Sequence, residues 1–204
     1  MTPPEVELRA VWHTVAGRGH EHHLEGLLLR LAEPHRRYHT AVHVMWVVRH
    51  LSAAPDHLDH AALVLAALYH DAIYDPRVAP PTNEVASAEL AASVATDLGW
   101  SAQQAALVHR LILATAHLEP GAHLESGNGH DEHERALIDA DLAILGAEPA
   151  DYSAYVAGVR AEYSHVSDPD WRSGRSAVLQ NLLQNPALTA RARANLTAEL
   201  ALYR

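Results

Sequence analysis

The chain of 204 residues contains no cysteine, so it can form neither a disulfide bond nor a metal site built on thiolates. Any metal ion that its side chains hold must therefore be bound by histidine and carboxylate groups. Histidine, by contrast, is frequent, with 17 residues along the chain. The search for a functional site therefore starts from the histidines and the carboxylates near them.

Positive charge is also scarce, because 15 basic residues stand against 25 acidic ones and leave a formal net charge of −10. This balance argues against binding to nucleic-acid polymers and against a basic membrane-binding patch. The most apolar run, AALVLAALYHDAIY, is too short to span a bilayer, and the N-terminal MTPPEVELRAVW lacks the pattern of a secretory signal. We therefore expect a soluble, cytoplasmic protein. With no thiol and no glycine-rich nucleotide loop, nothing favours a kinase, a dehydrogenase or a cysteine hydrolase.

The alternation of apolar and polar residues that predicts strands is nowhere sustained, whereas helical spacing recurs. Leu24, Leu27, Leu28 and Leu31, for example, share one face of a helix. We predict one all-α domain over residues 1–204, a bundle of roughly eight or more helices. Four of its helices are expected from about Thr40 to Ser52, from about Leu58 to Ile73, from an N-cap at Asn83 to a C-cap at Gly99, and from about Asp131 to Gly146.

Two histidines and a His-Asp pair stand out in apolar helical surroundings. In RRYHTAVHV, residues 36–44, His39 and His43 lie four apart at the start of a helix and therefore share a face. In LYHDAIYD, residues 68–75, His70 and Asp71 close the most apolar helix of the chain. Burying a carboxylate and an imidazole there is costly unless they are paired or bound to a metal.

A third polar pair interrupts LIDADLAILG, residues 137–146. Asp139 and Asp141 are two positions apart, so at most one of them faces the core. Asp141 lies beside the apolar stripe of the same helix and is the better candidate. Together, the three stretches offer four nitrogen and oxygen ligands, a set suited to Mn, Mg, Fe, Co, Ni or Zn as a divalent ion.

The order H…HD…D is the signature of the HD superfamily of metal-dependent phosphohydrolases, which this chain resembles. The stretch YHTAVHV is similar to the Tyr-His-Asn-x-x-His motif of cyclic-nucleotide phosphodiesterases, members of the same superfamily, although Thr40 replaces the asparagine. YHDAIYDP, NEVASAELA, LILATAH and DADLAILG resemble a bacterial subgroup of HD proteins. The resemblance runs from about Arg36 to Leu145 and more loosely to the C-terminus.

The resemblance implies an HD-type helical domain with His43, His70, Asp71 and Asp141 as ligands of a divalent metal ion. It implies a hydrolase that cleaves a small phosphoester or nucleotide with a metal-activated water. Asp71 would orient that water, and His39 or His117 would protonate the leaving oxygen. Four further residues are candidates for substrate binding, namely Arg37 and Arg160 as phosphate clamps and Asn83 and Glu84, which also fit a helix N-terminus.

Several alternatives stay open at the level of sequence. His39 rather than His43 could be the first ligand, Asp139 could share the role of Asp141, and one or two ions could bind. The same ligands could hold an ion in a sensor or scaffold that has no turnover. A di-iron oxygenase would need extra ligands, for which only His117 and His109 are offered. Homo-oligomers are compatible with the sequence as well.

Overall fold

The computed structural model describes residues 3–116 and 131–203, and these residues form ten α-helices, one 3₁₀ helix and no strand. The predicted all-α class is confirmed, as is the number of helices. The α-helices are α1 Pro4–Ala16, α2 Glu21–Leu31, α3 Ala41–Leu51, α4 His60–Tyr69, α5 Thr82–Asp97, α6 Ala102–Leu113, α7 Glu132–Asp141, α8 Pro149–Glu162, α9 Asp168–Leu182 and α10 Ala190–Ala201. The 3₁₀ helix, Leu142–Gly146, follows α7 directly.

Local capping residues explain where several helices begin and end. Thr40 accepts a hydrogen bond from the amide of Val42 and starts α3. Ser101 and Asp131 each form a capping box, which starts α6 and α7. Gly99 adopts a left-handed φ of +78° just beyond α5, a conformation that favours glycine and ends the helix.

Two predicted boundaries differ from the structure. The helix expected to reach Ile73 ends at Tyr69, because the chain turns at His70 and the carbonyls of Asp71 and Ala72 accept hydrogen bonds from Arg36 instead of continuing the helix. Asn83 is not an N-cap, because α5 already begins at Thr82. Its side chain binds the backbone of Asp75 in the preceding loop.

The apolar side chains form two clusters. The first is built by α1 to α7 around α4, in which seven of ten residues are buried. The second is built by the 3₁₀ helix, α8, α9 and α10. Helix α3 packs against α1, α4 and α7 and also contacts the 3₁₀ helix, so that it runs along the boundary between the clusters. The polar residues singled out in the sequence lie at this boundary.

No helix in the two described ranges is both long and apolar enough to cross a membrane.

Candidate metal centre

Three helix ends bring four polar side chains together. His43 lies in the first turn of α3, and His70 is the C-cap of α4, followed immediately by Asp71. Asp141 is the last residue of α7. The apolar faces of α3, α4 and α7 pack against one another, and this packing carries the polar ends of the helices to one point.

The donor atoms of this cluster lie within a few ångströms of one another. His43 Nε2 is 3.0 Å from His70 Nε2, 3.3 Å from Asp71 Oδ2 and 3.3 Å from Asp141 Oδ1. His70 Nε2 is 3.0 Å from Asp71 Oδ2 and 3.6 Å from Asp141 Oδ1. His43, His70 and Asp71 form a group that could hold a metal ion, and Asp141 lies beside it.

The tautomer of His70 suits a metal ligand. Its Nδ1–H donates a hydrogen bond of 2.9 Å to the carbonyl of Ala67, so the lone pair is on Nε2, which faces the cluster. His43 presents Nε2 to the same point, and its buried Nδ1 has no partner among the described residues. Two ring nitrogens only 3.0 Å apart require a proton or a cation between them, because two lone pairs repel.

Contacts within the cluster shift the pKa values of all four side chains. Burial alone would lower the pKa of each histidine, but the carboxylates of Asp71 and Asp141 outweigh it and raise the pKa of both. Burial alone would raise the pKa of each carboxyl group, yet His43 and His70 lower the pKa of both. All four shifts reflect the attraction between a protonated imidazole and a carboxylate, and a divalent ion bound among the four groups would take the place of these protons.

A buried arginine fixes the backbone around the cluster. Arg36 donates hydrogen bonds to the carbonyls of His39 at 3.0 Å, Asp71 at 2.7 Å and Ala72 at 3.1 Å. It thereby joins the start of α3 to the turn that carries Asp71. Nothing in the sequence distinguishes Arg36 from its neighbour Arg37, so this role was not predicted.

The two predicted phosphate clamps are not brought into the site. Arg37 is exposed, and its guanidinium bonds to the carbonyls of Pro34 and Arg36. Arg160 bonds to the carboxylate of Asp168 at 2.6 Å and stacks over Trp171. Neither residue lines the cavity beside the cluster, so the structure gives no support to a phosphate contact by Arg37 or Arg160.

His39 is held by a carboxylate from a distant helix. Its Nδ1–H donates to Glu162 Oε2 at 2.7 Å, and the hydroxyl of Tyr74 donates to the same oxygen at 2.9 Å. Glu162 Oε1 accepts the backbone N–H groups of Arg37, Tyr38 and His39 at 2.7–3.0 Å. His39 therefore does not join the metal group, which favours His43 as the ligand of the pair.

Glu162 was not predicted, although the sequence stretch VRAEY that contains it was part of the looser resemblance. It is 123 residues from His39, and no local pattern links the two. Burial alone would raise the pKa of Glu162, but the hydrogen bond to His39 and the three backbone donors lower it to about 2. Glu162 is thus a buried anion with a complete set of donors.

Asn83 and Glu84 both line the cavity beside the cluster. The side-chain amide of Asn83 is engaged with the backbone of Asp75 at 3.0 Å through both its oxygen and its nitrogen. Glu84 Oε2, in contrast, is buried without a hydrogen-bond partner among the described residues. Burial and the nearby charge of Asp71 raise the pKa of Glu84. Among the predicted substrate-binding residues, Glu84 is therefore the one that lines the cavity with a polar atom that has no partner in the described part of the chain.

The remaining candidates are Asp139, Asp141 and His117. The side chain of Asp141 is 12% exposed and belongs to the cluster, whereas Asp139 is exposed on the opposite side of α7. His117, the second candidate proton donor, lies outside the described residues.

A cavity of about 420 Å³ opens onto the cluster. Its polar end is formed by His39, His70, Asp71 and Asp141, and its other end by side chains of α8 and α9. This volume lies within the usual range of small-molecule sites.

Known proteins offer no guide to this site. Comparisons of the chain with models of protein families, with curated proteins and with solved structures find nothing that matches it significantly.

Proposed function

We propose that the protein is a metal-dependent phosphohydrolase of the HD type. The observation that carries the proposal is the convergence of His43, His70, Asp71 and Asp141, with donor atoms 3.0–3.6 Å apart, at the end of a cavity of ligand size. Two imidazoles and two carboxylates are ligands that divalent ions such as Mn, Fe, Co, Ni and Zn accept. A purely structural ion would not need such a cavity beside it.

The ion, when bound, supplies Lewis acidity that polarises a phosphoryl oxygen and makes water more acidic. Asp71 has a side chain that is 20% exposed, and one of its oxygens, Oδ2, faces the two imidazoles. Its other oxygen is free to accept a hydrogen bond from the attacking water and so to orient it toward phosphorus. Asp71 would therefore act both as a ligand and as the residue that positions the nucleophile.

His39 is the proposed proton donor to the leaving oxygen. Because Glu162 accepts the hydrogen on Nδ1, the ring orientation is fixed and Nε2 is the nitrogen that carries the transferable proton. Its ring centroid lies 5.6 Å from that of His43, close enough to reach a phosphoester bound at the cluster. Glu162 acts through His39 and is a positioning residue.

The proposal is tested by a hydrolysis screen of phosphomonoesters, cyclic nucleotides and nucleotides. Metal-stripped protein is assayed with Mn, Co, Ni and Mg added separately, and the bound metal is measured in the same samples. We expect turnover that depends on one or more of these ions and that is absent from the stripped protein. The His22→Ala variant serves as the control, because His22 is exposed, its ring contacts that of His23, and such a pair of histidines could bind metal adventitiously. Stoichiometric metal binding without turnover of any ester would instead favour a sensor or scaffold.

A further inference from the structure

The cavity has two chemically different ends. The end at the cluster carries imidazoles and carboxylates, as described above. The part of the wall that α8, α9 and the turn between them provide, which we call the α8–α9 chamber, consists of Tyr155, Val159, Tyr163, Val166, Asp170, Trp171, Gly174, Arg175 and Val178. The chamber presents mainly aromatic rings and aliphatic carbons, because the carboxylate of Asp170 is bonded to Ser167 and the guanidinium of Arg175 to Glu199.

Most polar groups in the cavity wall already have protein partners. The hydroxyl of Tyr155 accepts a hydrogen bond from Arg175 at 3.0 Å, and that of Thr115 donates to the carbonyl of Ile112 at 2.7 Å. The hydroxyl of Tyr74 donates to Glu162, and the amide of Asn83 is used by the loop backbone. Glu84, whose Oε2 has no partner among the described residues, is an exception. A ligand that carried many donors and acceptors would nevertheless regain few of the hydrogen bonds that it loses to water here, which is costly.

Cations that could neutralise a chain of phosphates are also scarce. The whole chain contains no lysine, and Arg175 is the only arginine among the described residues that line the cavity. The guanidinium of Arg175 is engaged with Glu199 at 2.7 Å and is buried. The stretch 117–130, which the structure does not describe, contains no arginine either. The metal cluster is therefore the place where phosphoryl charge can be neutralised.

From this division we infer that the substrate is a phosphomonoester with a compact apolar or aromatic alcohol part, bound in preference to a nucleotide. The inference rests on the proposed function. The phosphoryl group would lie at the cluster and the organic part in the α8–α9 chamber. Water would attack phosphorus, the bond from phosphorus to the ester oxygen would break, and that oxygen would take a proton from His39. The protons of the attacking water would leave with the phosphate, and His39 would regain its proton from solvent. The products are an apolar alcohol and inorganic phosphate.

Phosphonates test the inference without turnover, because their carbon–phosphorus bond is not an ester. Calorimetric titrations of the metal-loaded protein compare methylphosphonate, phenylphosphonate and the phosphonate analogue of adenosine 5′-monophosphate. We expect phenylphosphonate to bind about 10- to 100-fold more tightly than methylphosphonate, since a phenyl ring buries about 100 Å² more apolar surface. It should also bind more tightly than the adenosine analogue, whose ribose and base would be desolvated without partners.

A variant whose new side chain fills the α8–α9 chamber tests whether the phenyl ring binds there. Gly174 lies in α9 and lines the cavity, and a Cβ added there meets no atom within 4 Å. Gly174→Phe should therefore fold, with helix propensity improved, while it reduces the preference for phenylphosphonate to less than about threefold. Gly26→Phe is the matched control, because Gly26 is also helical and unobstructed but does not line the cavity. Gly174→Leu, with a smaller side chain, should give an intermediate preference.

The outcomes separate this inference from the proposed function. If methylphosphonate binds no better to the metal-loaded protein than to the metal-free protein, the proposed function fails. If all three phosphonates bind in a metal-dependent way but the phenyl group gives no advantage, only the substrate class is wrong. Tighter binding of the adenosine analogue would point to a nucleotide and overturn the inference. An equal loss of preference in Gly174→Phe and Gly26→Phe would show that the chamber is not where the ring binds.

Discussion

Two buried polar clusters in this protein differ in one respect, namely whether their hydrogen-bonding groups are matched within the protein. In the first, the Glu199 cluster, Oε1 of Glu199 accepts hydrogen bonds from Arg175 at 2.7 Å and from Tyr203 at 3.1 Å. Its Oε2 accepts from Tyr152 at 2.5 Å and from Arg175 at 3.1 Å. A second oxygen acceptor, the hydroxyl of Tyr155, takes a further donor of Arg175. Both oxygens of the Glu199 carboxylate therefore have protein donors without any ligand, and in this sense the cluster is complete.

The second, the candidate metal cluster of His43, His70, Asp71 and Asp141, is incomplete. Its ring nitrogens and carboxylate oxygens lie 3.0–3.6 Å apart, so that a proton or a metal ion must lie between them, and it borders a cavity. The Glu199 cluster joins side chains of α8, α9 and α10, whereas the residues of the other cluster lie at the ends of α3, α4 and α7. The difference teaches that burial and charge alone do not mark a functional site. Nitrogen and oxygen atoms that converge beside a cavity with more lone pairs than protein donors do, because a proton or a metal ion must neutralise them.

The largest effect is expected from removing a ligand of the incomplete cluster. Asp71→Ala should lower metal affinity by more than about 100-fold, beyond the usual cost of losing an outer hydrogen-bond partner. Hydrolysis should then fall to the level of metal-free protein, while the helical circular dichroism spectrum is unchanged. Metal content measured after dialysis checks the result. Full metal occupancy in Asp71→Ala would remove Asp71 from the ligand set.

The next effect separates positioning from ligation. His39→Ala and Glu162→Gln should each lower turnover by about 10²–10⁴-fold with metal content intact, because a general acid or its orientation is lost. In Glu162→Gln an amide N–H would face Nδ1 of His39 and favour the wrong tautomer. Asp151→Asn is the matched control on the same helix, and turnover should stay within about twofold because Asp151 is exposed and does not line the cavity.

The reverse pattern would be equally informative. If His39→Ala empties the metal site while His43→Ala leaves it filled, the two histidines have exchanged roles. If Glu162→Gln matches the wild type in turnover and in the pH dependence of turnover, the pairing of Glu162 with His39 is structural only.

Variants of the Glu199 cluster should lower the stability of the protein and leave its metal content unchanged. Arg175→Met leaves Glu199 as a buried carboxylate without its cation and should lower the free energy of unfolding by about 3–5 kcal/mol. Metal content should not change. In the double variant Arg175→Met and Glu199→Leu, much of this stability should return, because the unpaired charge is gone. Urea unfolding of the three proteins measures the difference, and a double variant as unstable as the single one would contradict this account of the cluster.

The smallest effect concerns acid. The pKa of Glu162 is about 2 in the folded protein against an ordinary value of 4.5, so its contribution to stability is fully present above about pH 4.5. The contribution is lost as the pH falls from 4.5 toward 2, because the unfolded chain then takes up the proton first. The stability advantage of the wild type over Glu162→Gln should therefore shrink by about 1–2 kcal/mol between pH 6 and pH 3. A constant difference across this range would argue against a charged, fully bonded Glu162.

The helical class and the members of the metal cluster could be anticipated from the sequence because both depend on local patterns. Thr40, Ser101 and Asp131 cap helices through bonds that reach only two or three residues along the chain. Apolar periodicity likewise placed Asp141, rather than Asp139, beside the core.

What the sequence could not supply depends on contacts between distant segments. Glu162 pairs with His39 across 123 residues, and Arg36 rather than Arg37 turns inward because the carbonyls that it binds come from a turn 35 residues away. The early end of α4 and the use of Asn83 by a loop have the same origin. In each case, a tertiary hydrogen bond outweighed the local preference.

Anomalous diffraction from crystals of the manganese- or cobalt-loaded protein tests the central claim most directly. The account predicts one strong peak among His43, His70, Asp71 and Asp141, with ligand atoms about 2.0–2.3 Å from the ion and a coordination position open to the cavity. A peak at His22 and His23 of α2 instead, or no peak at the cluster in fully loaded crystals, would contradict it.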